Sequence, residues 1–275
     1  KAAEEARAAE AARIAAMPYK LDSDLLMRAK MLRFSDTDRV LLFSMHHIIA
    51  DGWSIGVLLH ELSIFYSAYL AGHAAHLDPL SLQYVDYSAW QKKWLSGERL
   101  EKQQAYWSEA LEDIKPLDLP TDRPRPAVQT HRGAVLKHKI SAELLGRLKR
   151  FSQSQGATLY MTLLTGFKTI LSHYARQDDV AVGTPIANRP RPELERLIGF
   201  FANTLVLRTD LSGDPSFNEL LDRVKQTSLG AFEHEFSHVA YVEHSHSISY
   251  GSVFNFEAII RNGHLKSRVI NHFCA

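Results

Sequence analysis

The chain has 275 residues, of which 45% are hydrophobic, and this is enough apolar material for one large domain or two smaller lobes. Its 32 basic and 31 acidic residues give a formal net charge of +1, so charge gives no reason to expect nucleic acid or an anionic membrane as a partner. The hydrophobic runs are short and interrupted, and no transmembrane helix is expected. The single cysteine, Cys274, excludes an internal disulfide framework and favours a cytoplasmic location.

The first part of the chain predicts a helix, two strands and a second helix. The Ala-rich start is typical of a helix already under way at Lys1, so we expect the chain to be a piece of a longer polypeptide. Strands are predicted at 25–34 and 39–45, the second apolar enough to be buried on both faces. The second helix is predicted at 54–71, with Ser54 as its N-cap.

The later part of the chain predicts alternating helices and strands after a polar, aromatic segment. Residues 83–111 are predicted to be mostly helical, and the proline-rich segment at 116–130 is predicted to be an extended connection between two lobes. The pattern beyond it predicts strands at 134–140, 180–186 and 204–210, and helices at 142–153, 158–174 and 216–231.

The segment HHIIADG places His46, His47 and Asp51 directly after the second predicted strand. Adjacent side chains at a strand end point to opposite faces, so only one imidazole can easily face a given cleft. Gly52 permits a sharp turn into the helix. Imidazole is the usual general base at neutral pH, and no serine stands in a nucleophile-elbow pattern. Direct transfer between two bound substrates, with a histidine assisting proton transfer, is the chemistry that fits best.

Two plainer interpretations of this segment remain open. It could be an ordinary surface loop in which the histidines and the aspartate satisfy each other. It could also hold a metal ion, but His47 and Asp51 supply only two ligands and the sequence offers no evident third one. We therefore predict no metal and no directly bound cofactor.

HHIIADG matches the HHxxxDG motif, which is shared by condensation domains of nonribosomal peptide synthetases, wax ester synthases and diacylglycerol acyltransferases. Three further motifs follow in the order found in condensation domains: YVDYSAW at 84–90, GTPIANR at 183–189 and IGFFANTLVLR at 198–208. From its first residues to about Glu233, the chain thus resembles a condensation domain.

The resemblance implies an α/β, two-lobed fold like that of chloramphenicol acetyltransferase, incomplete at both ends. Residues 1–115 would be the C-terminal part of the first lobe, with the HHxxxDG loop, and 116–130 the connection. Residues 131–233 would begin the second lobe, and 234–275 form an atypical tail.

The same resemblance implies an enzyme that forms amide bonds. Its expected partners are donor and acceptor peptidyl carrier proteins, whose phosphopantetheine arms deliver aminoacyl or peptidyl thioesters, and an adjacent adenylation domain of the same synthetase.

Carried over to this sequence, the motif makes His47 the catalytic histidine and His46 a structural one. Asp51 is expected to hold the loop through a salt bridge, with Arg189 as its partner, and Gly52 to shape the turn. The chemistry leaves three roles open for His47: general base, stabiliser of the oxyanion, or group that positions the amine.

The remaining motif residues have structural interpretations. Tyr84, Tyr87 and Trp90 are spaced like one helix face, for which packing on the interior of a lobe is expected and contact with a substrate is the alternative. Asn203 and Arg208 border a predicted strand and could line a cleft or support the fold. The other histidines, including His131, His138 and those of the tail, are expected to be solvated or packed in a core.

The tail departs from the family pattern after His234. Its histidines at 234, 238, 244 and 246 could suggest a metal site. A sequence error, a frameshift or a fragment end is the better explanation of this atypical tail. Because strand edges would stay unpaired, the isolated chain is expected to fold imperfectly and to be inactive.

Two alternative functions stay open: an acyl-CoA-dependent acyltransferase of the wax ester or diacylglycerol type, and a non-catalytic scaffold that binds carrier proteins.

Overall fold

A computed structural model describes residues 2–124, 136, 138–236, 253–261 and 264–272, the last two ranges as backbone strands only. The chain divides into two compact units, one formed by 1–91, 189–202 and 246–275 and the other by 92–188 and 203–245. This division follows Gln91, whereas the sequence predicted a boundary at the proline-rich segment. The described part of that segment lies within the second unit.

The described helices and strands agree with most of the predicted ones, with ends shifted by a few residues. The helices are α1 Ala2–Ala15, α2 Gly52–Leu70, α3 Tyr84–Trp94, α4 Glu98–Ala110, α5 Ala142–Ser154, α6 Leu159–Ala175, α7 Pro192–Glu195 and α8 Phe217–Glu233. The strands are β1 Met27–Arg33, β2 Asp38–His46, β3 Asp179–Ile186, β4 Asn203–Asp210, β5 Val253–Arg261 and β6 His264–His272. Across these described residues, no helix combines the length and apolar character needed to cross a bilayer.

Two sequence predictions fail at the level of elements. The strand predicted at 134–140 is absent at residues 136 and 138–140, and its other residues lie outside the described part. The short helix α7 was not predicted, because its four residues are too few to show a periodic pattern.

The first unit contains an antiparallel sheet in the order β1-β2-β5-β6. Strand β2 is packed on both faces, as predicted: Val40 and Leu42 lie in one cluster with α1, whereas Met45 packs with Ile55 of α2. Its C-terminal residue, His46, pairs with Val253 of β5. The prediction that the chain would leave strand edges unpaired is wrong for β2, because the tail supplies β5 to its second edge.

Helix α2 begins at Gly52, and its N-cap is Asp51 rather than the predicted Ser54. Asp51 has extended backbone angles, and its carboxylate accepts a hydrogen bond of 2.8 Å from the Ser54 backbone N–H. This is the usual bond from an N-cap side chain to the third helical residue. Ser54 therefore lies inside the first turn, where its side chain is fully buried.

The second unit is built on the antiparallel pair β3–β4, with Leu205 and Leu207 of β4 in a core that also contains Trp107 and Val224. Lys168 of α6 is completely buried in this unit. Its Nζ donates to the Leu207 carbonyl at 2.6 Å and to the Thr209 hydroxyl at 2.5 Å.

Candidate active site

The motif loop runs from the end of β2 to the start of α2, with its turn at His47–Ile49. His46 is anchored in this loop, because its Nδ1 accepts a hydrogen bond of 3.1 Å from the Ile48 backbone N–H. Its ring lies 6.0 Å from that of Tyr19. Burial, and then the neighbouring His47, lower the pKa of His46. An Nδ1 engaged as an acceptor and a lowered pKa both favour a neutral imidazole.

His47 has a different aromatic neighbour. Its imidazole is half-buried and meets the ring of Phe200 edge to face, with ring centroids 5.1 Å apart and planes at 89°. The two adjacent histidines therefore occupy separate environments, as their position at a strand end predicted.

Asp51 and Arg189 form the expected salt bridge, although 138 residues separate them in the sequence. The Arg189 Nη2 lies 3.2 Å from Asp51 Oδ1, and both side chains are almost completely buried. Arg189 also donates to the carbonyls of Leu194 and Leu197. Burial lowers the pKa of Arg189, and the Asp51 carboxylate opposes that shift. A buried pair of this kind is stable only when its remaining donors and acceptors are also bonded.

Ser54 joins this ion pair to the segment that precedes β4. Its hydroxyl accepts from Arg189 Nη2 at 3.0 Å and from the Gly199 N–H at 3.1 Å. The single hydroxyl proton is shared between two acceptors, Asp51 Oδ1 at 2.7 Å and the Gly199 carbonyl at 2.8 Å. The other carboxylate oxygen of Asp51 accepts from the Phe201 N–H at 3.1 Å.

Tyr84, the first residue of α3, holds the same segment from another side. Its hydroxyl donates to the Phe200 carbonyl at 2.7 Å. Burial raises the pKa of Tyr84, so the phenol keeps its proton and stays a donor. The contact is close enough that a Cβ added at Gly199 would overlap the Tyr84 ring. We call residues 199–201 the Gly-Phe-Phe segment.

Gly52 does not have the backbone role that the sequence suggested. It is the first residue of α2, its φ angle is not positive, and a Cβ built on it meets no heavy atom of the described structure within 4 Å. The turn is made by His47–Ile49, so the prediction that Gly52 permits it is wrong.

The aromatic motif on α3 packs partly inside the first unit. Tyr87 is buried in a cluster with Leu194, Leu197 and Phe201, whereas Trp90 is 37% exposed. Packing is therefore the role of Tyr87, and Tyr84 adds a hydrogen bond that the spacing of the motif did not predict.

Asn203 and Arg208 lie in the second unit. Asn203 donates to the Glu235 carbonyl at 2.6 Å. Arg208 forms a bidentate ion pair with Asp179, with Nε 2.9 Å from Oδ1 and Nη2 2.8 Å from Oδ2. It also donates to the Glu112 carbonyl. Both side chains thus join β4 to neighbouring backbone.

The histidines outside the motif are scattered through the described chain. His138 is exposed, whereas His234 stacks on Tyr106 with ring centroids 3.9 Å apart. His131, His238, His244 and His246 lie outside the described residues. Where the structure describes side chains, no three of His, Cys, Asp and Glu are grouped as metal ligands would be.

The sequence did not point to Ser54, Phe200 or Tyr84 as parts of the site. Ser54 could have been suspected, because it is a polar residue on the apolar face of α2. Tyr84 and Phe200 lie in the motifs at 84–90 and 198–208, but the motifs do not show that the Tyr84 hydroxyl bonds to the Phe200 carbonyl.

These features define an α/β protein with a histidine-bearing loop fixed by a buried Asp–Arg pair. The model of the condensation domain family matches residues 1–257, and the chain belongs to that family. The match continues past Glu233, where the motifs alone had ended the resemblance. The fold class predicted from the motifs, that of chloramphenicol acetyltransferase, is confirmed by the structural likenesses that follow.

One component of the linear gramicidin synthase of Brevibacillus parabrevis is 48% identical over 265 residues, which are 93% of this chain and 5% of that protein. The X-domain from teicoplanin biosynthesis, solved in a complex with OxyB, has a TM-score of 0.81 at 25% identity, with 98% of this chain and 64% of that chain covered. The first condensation domain of the calcium-dependent antibiotic synthetase has a TM-score of 0.69 at 20% identity, covering 98% and 63%, and shows the fold alone. The chain thus spans a small part of the curated relatives that it matches.

Proposed function

We propose that this chain supplies the histidine-bearing part of a condensation domain that forms an amide bond between two carrier-bound substrates. The observation that supports this most is the intact HHxxxDG loop, braced by the Asp51–Arg189 pair in a chain of the condensation family. The α-amine of the acceptor attacks the thioester carbonyl of the donor, a C–N bond forms and the C–S bond breaks. The donor arm leaves as a thiol, which takes up the proton that the amine gives up.

His47 is the residue that we propose to act on the reacting groups. As a base it would remove the proton of the attacking amine, and as a hydrogen-bond partner it would hold the amine in place. His46 has its Nδ1 occupied by the Ile48 N–H, so we assign it to the support of the loop. Asp51 and Arg189 are assigned to the same support, because they bond to each other and to backbone.

The proposed partners are donor and acceptor peptidyl carrier proteins with phosphopantetheine arms, next to an adenylation domain, in the cytoplasm. The names of the relatives support this, since they are synthetases of peptides such as linear gramicidin and surfactin. We propose no metal and no cofactor held by the chain itself.

The test is a hybrid synthase, in which this chain replaces the segment that it matches in the linear gramicidin synthase component described above. Donor and acceptor carriers would be loaded in turn with each proteinogenic amino acid, and the mass of the acceptor carrier would be followed. We expect a dipeptidyl group on the acceptor carrier. Acyl transfer from acyl-CoA to a long-chain alcohol, without transfer between carriers, would instead support the wax ester type of acyltransferase.

A second candidate function is binding without catalysis. The observation that favours it is the likeness to the X-domain, which was solved in a complex with another protein, OxyB. Carrier proteins that bind the hybrid synthase in a titration, while no product forms with any pair of amino acids, would support this candidate.

A further inference from the structure

The ring of Phe200 lies against the imidazole of His47. The centroid separation of 5.1 Å and the angle of 89° lie within the range that aromatic pairs prefer, because the positive edge of one ring then meets the negative face of the other. Phe200 is half-buried, and its side chain takes no part in the Asp51–Arg189 ion pair. Its contact with the imidazole is therefore separate from the salt bridge.

The backbone on one side of Phe200 is bonded to the first turn of α2, and on the other side to the end of the motif loop. The Gly199 N–H and carbonyl bond to the Ser54 hydroxyl, and the Phe201 N–H bonds to the Asp51 carboxylate. The carbonyl of Phe200 itself accepts from Tyr84. Three consecutive residues are thus fixed by side chains that are partly or fully buried.

These bonds fix the backbone that carries Phe200 relative to Asp51, the residue that caps α2. The loop that contains His47 ends at Asp51, and Asp51 bonds to the residue next to Phe200. One network of bonds therefore connects the backbone that carries Phe200 to the end of the loop that carries His47.

We propose that Phe200 is a positioning residue, whose ring sets the orientation of the His47 imidazole towards the reacting amine. The inference deepens the proposed function and rests on it. Ser54 and Tyr84 act one step further away, because they hold the Gly-Phe-Phe segment and do not touch the imidazole.

The contact itself is tested by NMR on the full 275-residue chain, labelled with ¹³C and ¹⁵N. We expect nuclear Overhauser effects between the ring protons of His47 and Phe200. Phe200→Leu should shift the His47 ring signals, whereas Phe200→Tyr, which keeps the ring, should leave them near their original positions. Phe65→Leu is the matched control, because Phe65 is an exposed phenylalanine of α2. Absence of the Overhauser effects, or equal shifts in the Phe200→Leu and Phe65→Leu chains, would overturn the proposal.

The consequence for the reaction is tested in the hybrid synthase. Loss of the ring should lower kcat by about 2- to 10-fold at an unchanged KM, since an aromatic pair contributes a modest interaction energy. Phe200→Tyr, which keeps the ring, should leave kcat close to that of the unchanged hybrid. In a His47→Ala background, Phe200→Leu should cause no further loss, because a positioning residue acts only through the group that it positions.

The kinetic outcomes separate the inference from the proposed function. An active hybrid in which Phe200→Leu leaves kcat unchanged, raises only KM, or lowers kcat equally in the His47→Ala background would overturn the positioning role alone. An inactive hybrid whose chain still shows the ring contact by NMR would count against the proposed function. In that case the contact would exist but would have no catalytic purpose.

Discussion

The Asp51 carboxylate accepts bonds from Ser54, Phe201 and Arg189, so its removal leaves a buried guanidinium without its anion. We expect Asp51→Ala to lower the free energy of unfolding by about 3–5 kcal/mol, as found when one partner of a buried ion pair is deleted. Urea unfolding followed by circular dichroism measures this change.

The control for this prediction is the exposed pair of Asp78 and Arg196 in the same unit, whose charged atoms are 3.9 Å apart. Asp78→Ala should cost less than about 1 kcal/mol, because exposed ion pairs contribute little. Equal losses in the two variants would contradict the role of Asp51 as the anchor of the loop.

A Cβ added at Gly199 would lie 2.1 Å from the nearest atom of the Tyr84 ring. Gly199→Ala should lower the free energy of unfolding by about 1–3 kcal/mol, because the added methyl group overlaps the ring. A double variant with Tyr84→Ala, which removes the ring, should cost less than the sum of the two single changes. Additive losses would show that the ring is not what excludes a side chain at Gly199.

At the scale of single residues, the sequence predicted the salt bridge because the family motifs contain both partners. It could not predict that Ser54 bonds to Gly199, because a hydroxyl group has no distinctive partner in a sequence. The backbone groups that Ser54 meets are brought there by folding alone.

Helix α2 begins at Gly52, where a side chain meets open space. Gly52→Ala should leave stability unchanged or raise it by up to about 1 kcal/mol, because alanine restricts the unfolded chain. The urea midpoint of the full chain measures this effect. A clear loss of stability would show that the helix start needs glycine after all.

Helix α6 places Lys168 in the core of the second unit, where burial lowers its pKa to about 7. The unfolded chain has the ordinary value of about 10.4, so it binds more protons than the folded chain between these two pH values. Stability should therefore rise as pH increases from about 7 towards 10, and below pH 7 the cost of the buried charge is fully present.

Lys168→Met isolates this effect, since it removes the titrating group from the core. Urea unfolding of both chains at several values between about pH 7 and pH 9 should show a smaller rise with pH in the variant. Parallel pH dependence of the two chains would contradict the assignment to Lys168.

Periodicity predicted α2, α5, α6 and α8 because each has an apolar face and a recognisable start. It misplaced the N-cap of α2 because both Asp51 and Ser54 are good capping residues. Only the backbone conformation of Asp51 decides between them.

At the scale of the molecule, the tail contributes β5 and β6 to the sheet that contains β2. A chain that ends at residue 236 would expose the edge of β2, so we expect it to be less stable and to aggregate. Light scattering and urea unfolding, compared with the full chain, measure both effects. Unchanged stability and solubility would show that the pairing with β5 contributes little.

The division of the chain into units could not be predicted from the proline-rich segment. Residues 189–202 belong with the first part of the chain, although they follow a large part of the second unit. The bonds of Arg189 and Phe201 to Asp51, and of Gly199 to Ser54 of α2, account for this. The return of a chain segment to an earlier unit cannot be predicted from local composition, because it depends on contacts between residues that are distant in the sequence.

The most direct test of the proposed chemistry is the rate of peptide formation by the hybrid synthase with His47→Ala, beside His60→Ala as an exposed histidine of α2. If His47 acts as a general base, its loss should lower the rate by about 10²–10⁴-fold, while His60→Ala leaves the rate unchanged. A smaller loss specific to His47 would favour the positioning of the amine. Equal rates in all three proteins would contradict the claim that the HHxxxDG loop is the active site.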